Sequence, residues 1–107
     1  MIKVVYLYNL KEGVDHKEFE SYYFKERIAQ VMKVPNLDKF CFSIAVQSET
    51  SRYRYMAECF YKDLKTAKQT LDSTYFKDVH GYITGKLVDM EVMFLETHEW
   101  HPSEQLK

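Results

Sequence analysis

Four runs rich in β-branched and aromatic residues, separated by two stretches of helical periodicity, constrain this 107-residue chain more than any other feature. The first run, residues 2–9, carries apolar side chains at both parities, as a strand covered on both faces does. Lys11-Glu12-Gly13 turns the chain, and Asp15 followed by Glu18 is the pattern of a helix N-cap with an acid at its third position. The helix is expected to run to about Lys33, with Pro35 stopping it. Residues 37–48 and 53–61 then read as the two strands of a hairpin about the polar turn 49–52. Asp63 caps a second helix carrying Leu64, Ala67 and Leu71, and Ser73 or Thr74 restarts it through Phe76 and Val79 to about Tyr82. Gly85 breaks it, and residues 86–97 form the fourth strand.

The order is βαββαβ, the ferredoxin-like α+β arrangement with a four-stranded antiparallel sheet. A single domain over residues 1–107 is expected, with 98–107 as a C-terminal tail. Such a sheet has helices on one face only. Here Phe40, Phe42, Ile44 and Val46 alternate with Cys41, Ser43 and Ala45, and both sets suit burial. A second subunit packed sheet to sheet would cover the open face, so a homodimer of the dimeric α/β-barrel kind is predicted.

The charge pattern narrows the partners. Fifteen basic and sixteen acidic residues are interspersed, for a net charge of -1, and no basic stripe points to nucleic acid. No long apolar run suggests a signal peptide or a membrane span, so a cytoplasmic location is expected. Cys41 and Cys59 lie inside predicted strands without CxxC spacing, which predicts two reduced thiols and no zinc site. A hairpin centred on Thr50 pairs positions summing to about 100, placing the two cysteines as near cross-strand neighbours. Motifs for nucleotide, phosphate, serine-hydrolase or zinc-protease chemistry are absent, and no cofactor is expected.

Phe19-Glu20-Ser21-Tyr22-Tyr23 through Val34-Pro35-Asn36-Leu37, before Phe40, resembles the first half of EthD-like dimeric α/β-barrel proteins. Phe76-Lys77-Asp78 ahead of a long last strand resembles their second half. Within that superfamily the chain is similar to RedY-like proteins of prodigiosin-type pigment gene clusters. That likeness implies a secondary-metabolism protein acting on an aromatic, pyrrole-containing intermediate. Where EthD-like proteins commonly place a His one turn past the helical aromatics and then a Pro, this chain has Arg27 and Ala29.

Projection of the first helix at 3.6 residues per turn gathers Phe19, Tyr23, Phe24, Ile28 and Val31 in one arc, with Arg27 in its middle and Glu20 nearby. A guanidinium aimed at a sheet needs a carboxylate, a Tyr hydroxyl or a ligand oxygen to meet it. Arg27 is therefore either a structural ion-pair partner or an anchor for an acidic or carbonyl oxygen. His80 follows Phe76 by four residues, beside the stripe that faces the sheet, and its near-neutral titration suits proton transfer. The bland alternative is a packed or half-exposed histidine.

Glu58 sits between Ala57 and Cys59, and the same register turns it toward Phe42, Ile44 and Met56, either as an acid of raised pKa or as a salt-bridge partner of Arg54. The expected catalytic group is His80, Arg27 and Glu58, with Tyr6, Tyr23, Tyr55 and Phe42 contacting an aromatic ligand. Tyr8 and Tyr61 are further stacking candidates, against ordinary β-strand filling. His16 is expected in solvent, and His98, Trp100 and His101 to pack or meet a partner subunit.

Two rival functions follow. One is a non-catalytic carrier or chaperone of an intermediate in the same pocket. The other is a haem-handling or cofactor-free monooxygenase, suggested by the places of Asn9 and His80. The lone Trp100 at the C-terminus, with Tyr and Phe in the third strand where such enzymes tend to hold a Trp, counts against it.

Overall fold

Alternating burial along the first strand sets the architecture. The computed structural model describes residues 1–47, 49, 51–77, 83 and 85–102. Strand β1 (Ile2–Leu10) lies at the centre of the sheet, hydrogen-bonded on one side to β3 (Tyr55–Tyr61) and on the other to β4 (Leu87–Glu96). β2 (Lys39–Ile44) pairs with the outer side of β3, giving the order β2-β3-β1-β4 with every neighbouring pair antiparallel. With its helices between β1 and β2 and between β3 and β4, this is the ferredoxin-like α+β fold.

Both predicted caps form. The Asp15 side chain accepts the Glu18 N–H at 3.0 Å and opens α1 (His16–Tyr22); Asp63 accepts the Thr66 N–H at 2.8 Å and opens α3 (Leu64–Leu71). Ser73 Oγ accepts the Phe76 N–H at 3.2 Å, so the restart expected there also forms, as a helical turn over 74–77. Residues 78–82, including His80, lie outside the described residues. No helix among the described residues is long and apolar enough to cross a membrane.

One feature of the first helix was not foreseen. Between α1 and α2 (Ile28–Val31) the rod makes a π turn, Tyr23–Arg27, in which the Ile28 N–H reaches back five residues to the Tyr23 carbonyl. Residues four apart drift about 40° per step on an ideal α-helix, so 19, 23, 27 and 31 would fan over roughly 120°. The wider turn takes out part of that drift, and Phe19, Tyr23, Arg27 and Val31 are all buried. Phe24, which the straight projection placed in the same arc, is 60% exposed.

The hairpin differs from expectation in length and phase. β2 stops at Ile44, and Val46, expected in the strand, stands almost fully exposed in the turn. Cys41 pairs with Glu58 and Phe40 with Cys59, one residue away from the register that positions summing to 100 require. Because faces alternate at period two, this slip puts Cys41 and Cys59 on opposite faces of the sheet. A bulge between Leu7 and Asn9 in the β1–β4 ladder is accompanied by a left-handed Asp89, φ 57°.

The core lies between the helices and one sheet face. Val4, Tyr6 and Tyr8 from β1, Tyr55, Ala57, Cys59 and Tyr61 from β3, and Phe19 and Tyr23 from the helix make it up. On the other face Phe60 is buried beneath the stems of Lys3 and Lys39, whose ammonium groups sit 5.7 and 4.9 Å from its ring centre. Along β4, Val88, Met90, Val92, Met93 and Phe94 remain roughly two-fifths exposed.

Candidate functional site

The four-residue spacing that the π turn preserves delivers Arg27 to the sheet, where only 6% of it is exposed. It borders a cavity of about 30 Å³ between helix and sheet, walled by Tyr6 and Tyr8 of β1, Cys59 and Tyr61 of β3, Tyr23 one turn up the helix, and the apolar Phe76, Ile83, Leu87 and Met90. A hollow of that size has room for roughly one or two waters. Among the described lining residues there is no carboxylate.

Arg27 sets the electrostatics of this hollow. Its positive charge beside Tyr23 pulls against the burial that pushes the Tyr23 phenol up to about 12. The same positive field opposes the burial of Tyr6 and Tyr8, both held far above the usual phenol range, and of Cys59, whose thiol is raised to about 12. Tyr8 leans its hydroxyl toward Tyr23 without closing a hydrogen bond of good geometry, and Tyr61 does the same toward the Cys59 sulfur. These groups are therefore protonated donors throughout the neutral range, and none of them is a base.

Behind the cavity runs an aromatic stack. Tyr23 and Phe42 are 3.8 Å apart at 12°, Phe42 and Tyr55 5.8 Å apart at 8°, and Tyr55 and Tyr8 5.6 Å apart at 25°. Tyr23 reaches the hollow, whereas Phe42 and Tyr55, expected to touch ligand, back the residues that do. The Tyr55 hydroxyl points to a polar cluster at the end of the helix. It donates to Glu20 Oε2 at 2.8 Å, accepts from Arg54 Nε at 3.2 Å and lies 2.9 Å from His16 Nδ1. Arg54 also pairs with Glu20 at 3.6 Å. His16 is exposed, as expected, and also has a specific partner in Tyr55.

Glu58 does not belong to this site. Its backbone pairs with Val5 and Cys41, which turns its side chain to the helix-free face, and its carboxylate meets Lys3 Nζ at 3.0 Å. Phe42 and Ile44, its expected neighbours, are on the other face because the hairpin is shifted by one residue. The partner predicted for it, Arg54, binds Glu20 instead. Asn9 is likewise occupied: its side chain accepts the Arg54 N–H at 2.9 Å and donates to the Arg52 carbonyl at 3.0 Å, bracing the start of β3. His98, Trp100 and His101 are exposed, with His98 and His101 near Glu96 and Glu99. His80 lies outside the described residues.

Cys59, expected only as a reduced thiol, lines the cavity; only the register, which no local signal carries, assigns it to that face. The two cysteines, free in the structure, should react differently. In native protein Cys41, half-buried on the open face, should be labelled by Ellman's reagent several-fold faster than Cys59, whose thiol is buried and of raised pKa. Equal rates, or a disulfide in fresh protein, would contradict this placement.

No family model matches the chain, and no curated protein matches it in sequence. Solved structures do. An EthD-family protein from Bacillus halodurans superposes with a TM-score of 0.74 at 23% identity, over 92% of this chain and 99% of its own. HapK from Hahella chejuensis gives 0.75 at 14% identity, covering 94% and 96%. SnoaB, a cofactor-independent oxygenase from Streptomyces nogalater, gives 0.72 at 15%, with 94% and 96% covered. Over about nine-tenths of its length the chain shares the fold of these proteins.

Proposed function

We propose that this protein is a cofactor-independent enzyme of secondary metabolism that acts, as a homodimer, on a small aromatic intermediate in the Arg27 cavity. The observation that carries the reading is a guanidinium 94% withdrawn from solvent among tyrosine rings, since Arg27 is 6% exposed. A ligand oxygen seated in the hollow would lie in the positive field that Arg27 casts over its wall. In this reading Arg27 holds an acidic or carbonyl oxygen, Tyr6 and Tyr23 flank the ring, and His80 moves the proton in a cyclisation, condensation, dehydration or hydrolysis. The likeness to SnoaB supports a cofactor-free role, and the resemblance to RedY-like proteins supports a pyrrole-containing, prodigiosin-type substrate. A ring is larger than the present hollow, so Met90, 38% exposed, and the half-buried Phe76 are the wall residues that must give way.

A carrier or chaperone reading is favoured by one observation: the described tyrosine and cysteine groups on the cavity wall are pushed well above neutrality, leaving them unsuited as bases. Mass spectrometry of ligand that co-purifies with the protein, followed by incubation with it, decides between them. Chemical change of that ligand supports the enzyme; tight binding without change supports the carrier. The half-exposed apolar side chains of β4 support the dimer. Light scattering at micromolar concentration should return twice the 12.9 kDa chain mass, and a clean monomer would remove the dimer from this proposal.

A further inference from the structure

We propose that Lys3 and Glu58 are the specificity-determining pair of an interface between two copies of this chain: across facing helix-free sheet faces, each Lys3 meets the partner's Glu58. The inference rests on the homodimer reading above and names the side chains that select the second copy and fix its register.

The pairing of the strands puts Leu7 of β1, Met56 of β3, and Met93 and Leu95 of β4 on the helix-free face with Lys3, Val5 and Glu58. An apolar face is thus interrupted on its two inner strands by one charged pair. Lys3 Nζ and Glu58 Oε2 are 3.0 Å apart, and the two side chains are only 22% and 14% exposed. The other charged side chains that the paired strand residues place on this face, Lys39 and Glu91, are more open and lie on its outer strands. Lys39 is 3.9 Å from Glu99, and Glu91 3.7 Å from Arg52.

The inner pair lies on a diagonal. Glu58 stands opposite Val5, and Lys3 stands two residues before Val5, opposite Phe60. Homodimers close by a two-fold axis, so each must present a surface that complements itself. An axis lying between two facing sheets, across the strands and over the middle of this diagonal, exchanges its two rows. The partner's Lys3 then arrives over Val5, one strand or about 4.8 Å to the side of Glu58, and the partner's Glu58 arrives over Phe60, equally close to Lys3. Like charges end farther apart, two residues along a strand or about 6.7 Å. Each charge gains a second neighbour of opposite sign as the face leaves water, which offsets the cost of desolvating an ion pair. A partner lacking this diagonal, or a copy docked out of register, meets the pair with its like or with nothing, and is disfavoured.

The double substitution Lys3→Glu with Glu58→Lys tests this, because it keeps the ion pair within each chain and reverses its sense. The variant should dimerise with itself as the wild type does, whereas a mixed dimer sets like charges side by side across the interface. Isotope-labelled wild type mixed with an equal amount of unlabelled wild type should exchange to the half share of mixed dimers that random pairing gives, read by native mass spectrometry. Mixed with the double variant, it should give a share at least about tenfold lower, as like-charge juxtaposition demands. A random share with the variant, or a variant that is a folded monomer, would overturn the pair's role while leaving the wild-type dimer intact. Should the double variant not fold, Glu58→Gln carries the test: its dimer dissociation constant should rise several-fold, and an unchanged constant would overturn the proposal. A monomeric wild type would overturn both the pair and the homodimer reading.

Discussion

Replacing His80 by Ala is expected to abolish turnover of the substrate while leaving its binding unchanged. Phe76 and Ile83 both line the Arg27 cavity, and positions 76, 80 and 83 are spaced as i, i+4 and i+7, the repeat of one helical face. In the sequence reading, where a helix runs through Phe76 to about Tyr82, that spacing is expected to put His80 beside the stripe that faces the sheet. The described groups of the wall are held well above neutrality, so an imidazole, the side chain whose ordinary titration falls nearest neutral pH, is the type of group suited to accept and return a proton. Loss of a positioned general base or acid costs about 10²–10⁴ in kcat. The pH profile gives a second readout: wild-type kcat should titrate near neutrality, and the residual rate of the variant should lose that dependence. Full activity in the His80→Ala protein, with the authentic substrate, would make the carrier reading the leading one.

Tyr23→Ala is expected to be the most damaging substitution for stability. The ring is 2% exposed, stacks on Phe42 at 3.8 Å and packs against Phe19 at 5.8 Å. Truncating a buried aromatic of this size costs about 3–5 kcal/mol, and domains of this kind have only about 5–15 kcal/mol in total. Tyr23→Phe keeps the ring and removes the hydroxyl beside the Arg27 guanidinium, so its cost of about 1–3 kcal/mol reports that polar contact with the buried cation. Urea unfolding followed by fluorescence separates the two. A Phe variant as damaging as the Ala variant would mean that the oxygen, and not the ring, carries the stability of this position. A Phe variant as stable as wild type would remove Tyr23 as the partner that positions Arg27.

Much of the site was legible because it depends on short-range spacing. Arg27 was placed toward the sheet by its distance from Phe19 and Tyr23, and the structure buries all three. Tyr6 and Tyr23 were expected to contact ligand and do border the hollow. Phe42 and Tyr55 were assigned the same role and instead stand behind the wall, since alternation assigns a side chain to a face but not to a depth along the strand. Glu58 failed for a sharper reason. Its face depends on how many residues the hairpin connection consumes, and a single-residue difference reverses every side chain of the pair. The hydrogen-bond partner of the exposed His16 was not legible because Tyr55 lies 39 residues away.

What the sequence by itself determined is the order of elements, the two capped helix starts at Asp15 and Asp63, and the four-strand βαββαβ plan. Each rests on interactions within a few residues: a carboxylate meeting an N–H three positions on, or the period of apolar side chains. Tertiary structure decided the hairpin register, the bulge between Leu7 and Asn9 and the π turn that brings Arg27 into line with Val31. All three are choices between local geometries of nearly equal energy, and what selects among them is the packing of helix against sheet, which no window of neighbouring residues contains.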